Sequence, residues 1–318
     1  SLPTKNMDLK KINNLVQLFN DQYKLRNKDE IFLTSLKEPK IKYSWEKTKN
    51  FIKIIAEDLK KIANKGDRCL LISENRPEWL IVDIAIMYAD LISVPTYTTY
   101  SSKDYEHIIN DCTPSIIFVS NDEQLKKIKN IIKNKIFIKK IYSIDNLENE
   151  YDFDSLSLKD LLLKTKTKDE SFDIPKIKRL DPACIIYTSG TQGKPKGVIL
   201  SHGGILSNCK GAIELLNQLT LGERLRFLTW LPLSHSYEHT VQFVQISLGA
   251  EIYYAESLDK LIKNMNDCKP HIMTSVPRFY QNLYQKIYSN FNKNKGLKKI
   301  LINKTLSIGH KKIKKIKL

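Results

Sequence analysis

A chain of 318 residues with 42% hydrophobic content is long enough for a sizeable core and, by length alone, about two domains. Its 52 Lys and Arg against 35 Asp and Glu leave a net charge of +17, but ten lysines and no acid fall between Phe291 and Leu318, and no nucleic-acid motif accompanies that basic end, so nucleic acid is not an expected partner. No run reaches the ~18 apolar residues of a membrane span: the best candidate, Trp79 to Pro95, is interrupted by Asp83 and Asp90, and Ser1 to Lys10 carries no apolar signal core.

In chain order, Leu9, Ile12, Leu15, Val16 and Phe19 repeat at helical spacing, as do Phe51, Ile52, Ile55, Leu59 and Ile62. Two amphipathic helices are expected there. Cys69 to Ile72 then reads as a buried strand, and Pro77 opens a helix over 78–89. A strand is expected over 93–97, and a capping box at Ser101-Ser102-Lys103-Asp104 starts a helix ending near Asp111. Ser115 to Val119 is again a strand, and Lys126 to Lys140 fits a basic helix and a strand. This βαβαβ rhythm predicts an α/β fold with a largely parallel sheet and binding sites at the carboxyl ends of its strands.

Residues 145–178 lose the rhythm and read as a connecting stretch, closing a first α/β subdomain over 1–180. A second, over 181–318, opens with an apolar strand at Cys184-Ile185-Ile186, and Ser201 caps a helix from His202 to about Leu216. Phe227 to Leu231 reads as a strand and Tyr237 to Leu248 as a helix. The five cysteines, Cys69, Cys112, Cys184, Cys209 and Cys268, are scattered and form no paired metal spacing, so they read as reduced, buried thiols.

The most informative stretch is Tyr187-Thr188-Ser189-Gly190-Thr191-Gln192-Gly193-Lys194-Pro195-Lys196-Gly197-Val198. Its glycines let backbone amides approach a ligand, Thr188, Ser189 and Thr191 offer hydroxyls, and Lys194 and Lys196 bring positive charge to phosphate oxygens. It is not the common P-loop, whose glycine-lysine pair precedes a hydroxyl residue opening a helix. Here Pro195 follows Gly193-Lys194, and the loop joins two strands. A second constellation, Leu231-Pro232-Leu233-Ser234-His235-Ser236-Tyr237-Glu238-His239, packs two histidines, a tyrosine and a carboxylate into five positions.

The loop resembles the signature loop of the adenylate-forming superfamily: acyl-CoA synthetases, luciferases and peptide-synthetase adenylation domains. Gln192 stands where that family usually has threonine. The histidine segment resembles the family's second motif in its long-chain fatty acyl-CoA synthetases, though a tryptophan gate that some members carry near His239 is missing. Ser73-Glu74-Asn75-Arg76-Pro77-Glu78-Trp79 resembles a mainly structural part of the first subdomain, and Thr274-Ser275-Val276-Pro277-Arg278 a segment beside the acyl pocket.

The resemblance implies a layered αβαβα N-terminal domain with mostly parallel sheets. It implies a fatty acid activated with ATP to an acyl-adenylate and passed to coenzyme A. It places Thr188 on Mg²⁺, and Ser189, Gly190, Thr191, Gln192, Gly193, Lys194 and Lys196 on the phosphates. His235 contacts substrate, with Tyr237 and Glu238 shaping the site, so Thr188, Lys194 and His235 are the expected catalytic residues. The family's glycine-tyrosine-glycine-x-threonine-glutamate segment and later catalytic lysine are not found before Leu318. The chain is therefore expected to be an N-terminal portion lacking the C-terminal catalytic domain, with little ligase activity alone. Alternatives are another acid-activating enzyme of the superfamily and an inactive ATP- or acyl-binding fragment. A cytoplasmic protein is expected, its basic end a solvated helix or a peripheral contact at the inner face of a membrane.

Overall fold

The structure is a computed structural model, described here over residues 7–165, 173–189, 193–216 and 224–274. Expectations on Gly190, Thr191, Gln192, Ser275, Val276, Pro277, Arg278 and the basic end lie outside the described residues.

After a 3₁₀ turn at Leu9–Lys11 come α1 (Leu15–Leu25), β1 (Ile31–Ser35), β2 (Lys42–Ser44), α2 (Trp45–Lys60), β3 (Arg68–Ile72), α3 (Pro77–Tyr88) and β4 (Ile92–Thr96). The chain continues through α4 (Ser102–Cys112), β5 (Ile116–Val119), α5 (Asp122–Ile132), β6 (Lys140–Ser143), β7 (Ser155–Ser157) and α6 (Leu158–Lys164). The remaining elements are β8 (Pro182–Ser189), β9 (Pro195–Ser201), α7 (His202–Leu216), β10 (Arg226–Thr229), α8 (Ser236–Ser247), β11 (Glu251–Tyr254), α9 (Leu261–Cys268) and β12 (Ile272–Met273).

The helical repeat expected from Leu9 to Phe19 is broken in two, because Asn14 is the N-cap of α1, its side chain accepting from the Gln17 amide. An asparagine satisfies the orphan first-turn amides better as a cap than inside a helix. The capping box before α4 forms as the spacing predicts, with Ser101 and Asp104 bonding reciprocally. The stretch 145–178 holds β7 and α6, so part of the expected connection is regular structure.

Seven strands make one sheet in the order β7-β6-β5-β3-β4-β8-β9, all parallel neighbours except the antiparallel β8–β9 hairpin. Five make a second, β12-β10-β11-β1-β2. The sheets do not divide at 180/181, where the sequence places a subdomain boundary: β8 and β9 complete the first sheet, and β1 pairs with β11 through Leu33↔Ile252 in the second. That early strand reaches across the chain because its buried Phe32 and Leu33 need the later sheet as cover.

Alternation along β3, β5 and β8 sends Cys69, Leu71, Phe118, Cys184 and Ile186 into one core, with α1, α2, α3 and α8 between the sheets. Leu70, Ile72, Ile117 and Val119 enter a second core against α4 and α5, and α9 packs on the five-stranded sheet through Leu228, Leu261 and Cys268. The result is the expected αβαβα layering. Helix α3 is buried along its whole length, as a helix apolar on all sides must be, and it touches β1 in one sheet and β3 and β4 in the other. It is the internal strut on which both sheets rest. His202, the first residue of α7, accepts from the Leu15 amide through Nδ1 at 3.1 Å. Burial holds this imidazole down to about 4 despite the opposing carboxylates of Asp181 and Asp83.

Candidate active site

The β8–β9 hairpin carries the signature loop between two strands, as its sequence predicts. The register sets Thr188 opposite Lys196 and Ser189 opposite Pro195. Residues directly opposite in an antiparallel pair project to the same side, Cβ atoms about 5 Å apart, so the Thr188 and Lys196 side chains leave the same side of the hairpin. Both are exposed, as are Ser189, Gly193 and Lys194. Gly193 has φ +91, with nothing within 4 Å of an added Cβ. A left-handed residue in open space lets the chain turn while leaving its backbone approachable.

Helix α4 supports the hairpin from beneath. His107 Nε2 lies 2.8 Å from the Pro195 carbonyl oxygen, Tyr187 donates to Asp111 at 2.6 Å, and Tyr100 donates to the Tyr187 carbonyl at 3.3 Å. Burial and the Asp111 carboxylate both push the Tyr187 phenol well up. Gly197 faces Tyr187 across the pair, where a Cβ would stand 3.0 Å from Ile185 Cγ2 and 3.1 Å from Tyr187 Cζ. Its glycine makes room for the ring rather than for a ligand.

The histidine segment joins β10 to α8. His235 is the N-cap of α8, its Nδ1 accepting from the Tyr237 amide at 3.2 Å. In the neutral ring that bond puts the proton on Nε2, and the exposed imidazole presents an N–H donor outward. Tyr237 is also exposed, whereas Glu238 is buried to 1% and His239 to 0%. Among the described residues neither Glu238 carboxylate oxygen has a hydrogen-bond partner. Burial lifts that carboxyl to about 7.

His239 is not at the surface. Its Nε2 lies 2.7 Å from Asp83 Oδ2 and its Nδ1 3.8 Å from Cys184 Sγ, while Ser93 donates to Asp83 Oδ1 at 2.6 Å. All four side chains are fully buried. Burial alone would lower the His239 imidazole, but Asp83 and Cys184 hold it well up. This cluster was not foreseen, although one signal existed: a carboxylate inside an apolar helix requires a partner.

Asn75, following β3, donates to the Leu231 carbonyl at 2.6 Å and accepts from the Leu233 amide at 3.0 Å. Strands β3, β4 and β8 are mutually parallel, so the segment leading to His235 and the Thr188 end of β8 share one edge of the seven-stranded sheet. That is the carboxyl edge, where ligands bind in open α/β sheets. Among the described residues no group of three or more His, Cys, Asp or Glu is arranged to hold a metal. A lysine-lined groove of 440 Å³ between α5 and residues 149–154 lies elsewhere, and Glu150, Asp152 and Asp154 partly balance its charge. No helix of the described residues is long and apolar enough to cross a membrane.

A parallel sheet carrying a glycine, hydroxyl and lysine hairpin at its carboxyl edge defines the class, and residues 21–311 match the AMP-binding enzyme family. The chain belongs to that family. It is 28% identical over 289 residues to long chain acyl-CoA synthetase 3 of Arabidopsis thaliana, covering 86% of this chain and 43% of that protein. Fatty acyl-CoA synthetase A of Dictyostelium discoideum is 29% identical over 248 residues, 76% of this chain and 36% of that one. The chain thus spans less than half the length of these relatives. Among solved structures, the luciferase-like enzyme of Zophobas morio superposes with a TM-score of 0.73 at 19% identity, over 86% of this chain and 62% of that one. ATP-bound MatB from Rhodopseudomonas palustris gives 0.68 at 22%, over 86% and 51%. The fold is that of the N-terminal domain of adenylate-forming enzymes.

Proposed function

We propose that this chain is the ATP- and acid-binding portion of a long-chain fatty acid CoA ligase that forms AMP. The observation carrying the reading is the hairpin itself, which sets Thr188 and Lys196 side by side and exposed at the carboxyl edge of a parallel sheet. The family match and the similarity to synthetases named for long-chain or fatty acyl substrates support it.

In this reaction the acid's carboxylate oxygen attacks the α-phosphate of ATP, pyrophosphate leaves, and the thiol of coenzyme A then displaces AMP from the acyl-adenylate. Two anions must meet, so the protein's work is positioning and charge neutralisation. Lys194 and Lys196 place positive charge on the β- and γ-phosphates, and Thr188, Ser189 and the open backbone at Gly193 orient their oxygens. Gly190, Thr191 and Gln192 complete this set by the family motif. The donor set suits phosphate oxygens better than a bare cation, because Lys196 stands beside Thr188. Mg²⁺, which prefers hard oxygens and keeps its waters, would be held by the Thr188 hydroxyl together with substrate phosphates and would supply divalent charge. His235 offers its outward Nε2–H to an oxygen of the acid or the adenylate. Tyr237 and Glu238 shape the wall around it.

Binding of nonhydrolysable acyl-adenylate analogues to the 318-residue chain tests the reading. A palmitoyl-adenylate analogue is expected to bind at least tenfold more tightly than a benzoyl one. Preference for the benzoyl analogue would replace the long-chain reading with an aryl acid one, and no binding of either would remove the ligase reading.

A further inference from the structure

The segment from Asn75 to Asp83 resembles a merely structural stretch, yet its contacts converge on the histidine motif. Asn75 grips the backbone on both sides of Pro232, through the Leu231 carbonyl and the Leu233 amide. One helical turn beyond His235, His239 is tied to Asp83. His235 therefore sits between two anchors, and both belong to one short stretch of chain, the turn after β3 and the middle of the buried α3.

The cluster around Asp83 has the order of a nucleophile, a base and an orienting carboxylate: Cys184, His239, Asp83. That reading fails because all three side chains are fully buried and no substrate reaches the thiol. What the cluster does mechanically is tie α8 to β8, since Cys184 lies four residues before Thr188 on the same face of that strand.

We propose that Asn75 and Asp83 are positioning residues that fix where His235 stands relative to the anion held by the hairpin. The proposal rests on the assignment of His235 to the substrate edge. The physical reason is that the His235 ring is exposed and the one described bond of its side chain is the cap to its own helix. Its place in space is thus set by the backbone before and after it. Loss of Asn75 frees the Leu231 carbonyl and the Leu233 amide to turn toward water, and the Pro232 loop gains alternative conformations. Loss of the Asp83 carboxylate releases the first turn of α8 from α3 and removes the acceptor that orients the His239 ring toward Cys184 on β8.

The test is made on the 318-residue chain with ¹⁵N-labelled histidine, using ATP as the probe. Six histidines give a tractable spectrum, in which an acceptor Nδ1 and a protonated Nε2 separate clearly. Asn75→Ala is expected to keep ATP affinity within about twofold while the ATP-induced shift of the His235 ring nitrogens falls several-fold. Asp83→Asn should act in the same direction and also perturb His239, because an amide can donate where the carboxylate only accepts. Ile117→Val, in the core on the other face of the sheet, is the control for mild loss of stability and should leave His235 unchanged. If Asn75→Ala leaves the His235 nitrogen shifts and their ATP response at wild-type values, the positioning role is overturned; should Asp83→Asn fail to fold, Asn75→Ala alone decides. If the wild-type chain does not bind ATP, the functional reading fails instead. The ligand-free His235 shifts of wild type and Asn75→Ala then still decide the positioning claim.

Discussion

The two sides of the candidate site are built on opposite plans. On the hairpin side the residues that would meet a ligand are local in sequence, exposed, and carried on the last hairpin of the seven-stranded sheet. On the histidine side one exposed ring is held by partners 150 or more positions away in the chain, Asn75 for the loop before it and Asp83 for the helix after it. The first plan puts binding groups where they cost the fold little. The second uses the core to place a single donor. Changes to the exposed ligand-facing side chains of the hairpin should therefore affect ligand more than stability, and changes on the histidine side should affect both.

The largest effect is expected at the buried pair. Asp83→Ala leaves His239 and Ser93 without their carboxylate in a dry core, and truncating one member of such a pair costs about 3–5 kcal/mol. Urea unfolding measures it, and a loss under 1 kcal/mol would break the comparison. Next comes Glu238, whose carboxyl is raised to about 7 in the fold. A carboxyl raised on folding favours the folded state while it is protonated. The native chain then binds more protons than the unfolded one between about 4.5 and 7, so stability falls as pH rises through that window, by at most about 3 kcal/mol. Glu238→Gln removes this slope, and parallel stability profiles for the two proteins would show that Glu238 is not titrating there.

On the hairpin, Gly197→Ala drives a methyl group against Ile185 and Tyr187 and should cost about 1–3 kcal/mol by overpacking, read as a lower midpoint in urea. Lys196→Ala is the smallest for the fold, within about 0.5 kcal/mol as for an ordinary surface change. Its ATP affinity should nevertheless drop at least tenfold, about 1.4 kcal/mol. Equal losses of stability for Lys196→Ala and Asp83→Ala would erase the distinction between the two sides.

The same contrast explains what was legible in the sequence. The hairpin announces itself because its chemistry is contiguous: hydroxyls, glycines and lysines within twelve positions, flanked by two apolar runs. The alternation of strands and helices was equally readable, since periodicity is local. Asn75 was visible only within a segment resembling a structural part of the family, and Asp83 only as a charge interrupting an apolar stretch. Their partners, Leu231, Leu233 and His239, follow from tertiary packing. So does the five-stranded sheet, where β1 joins β11 across more than 200 residues of chain and no local pattern says so. Asn13-Asn14 misled in the other direction: the apolar spacing ran through them, but the cap chemistry of Asn14 won.

The most direct test of the central claim is calorimetric titration of the 318-residue chain with ATP, beside Lys196→Ala and Asn75→Ala. The account predicts saturable binding by wild type, a loss of at least tenfold for Lys196→Ala, and near wild-type affinity for Asn75→Ala. Binding that is absent, or equal in wild type and Lys196→Ala, would contradict the hairpin as the seat of nucleotide binding.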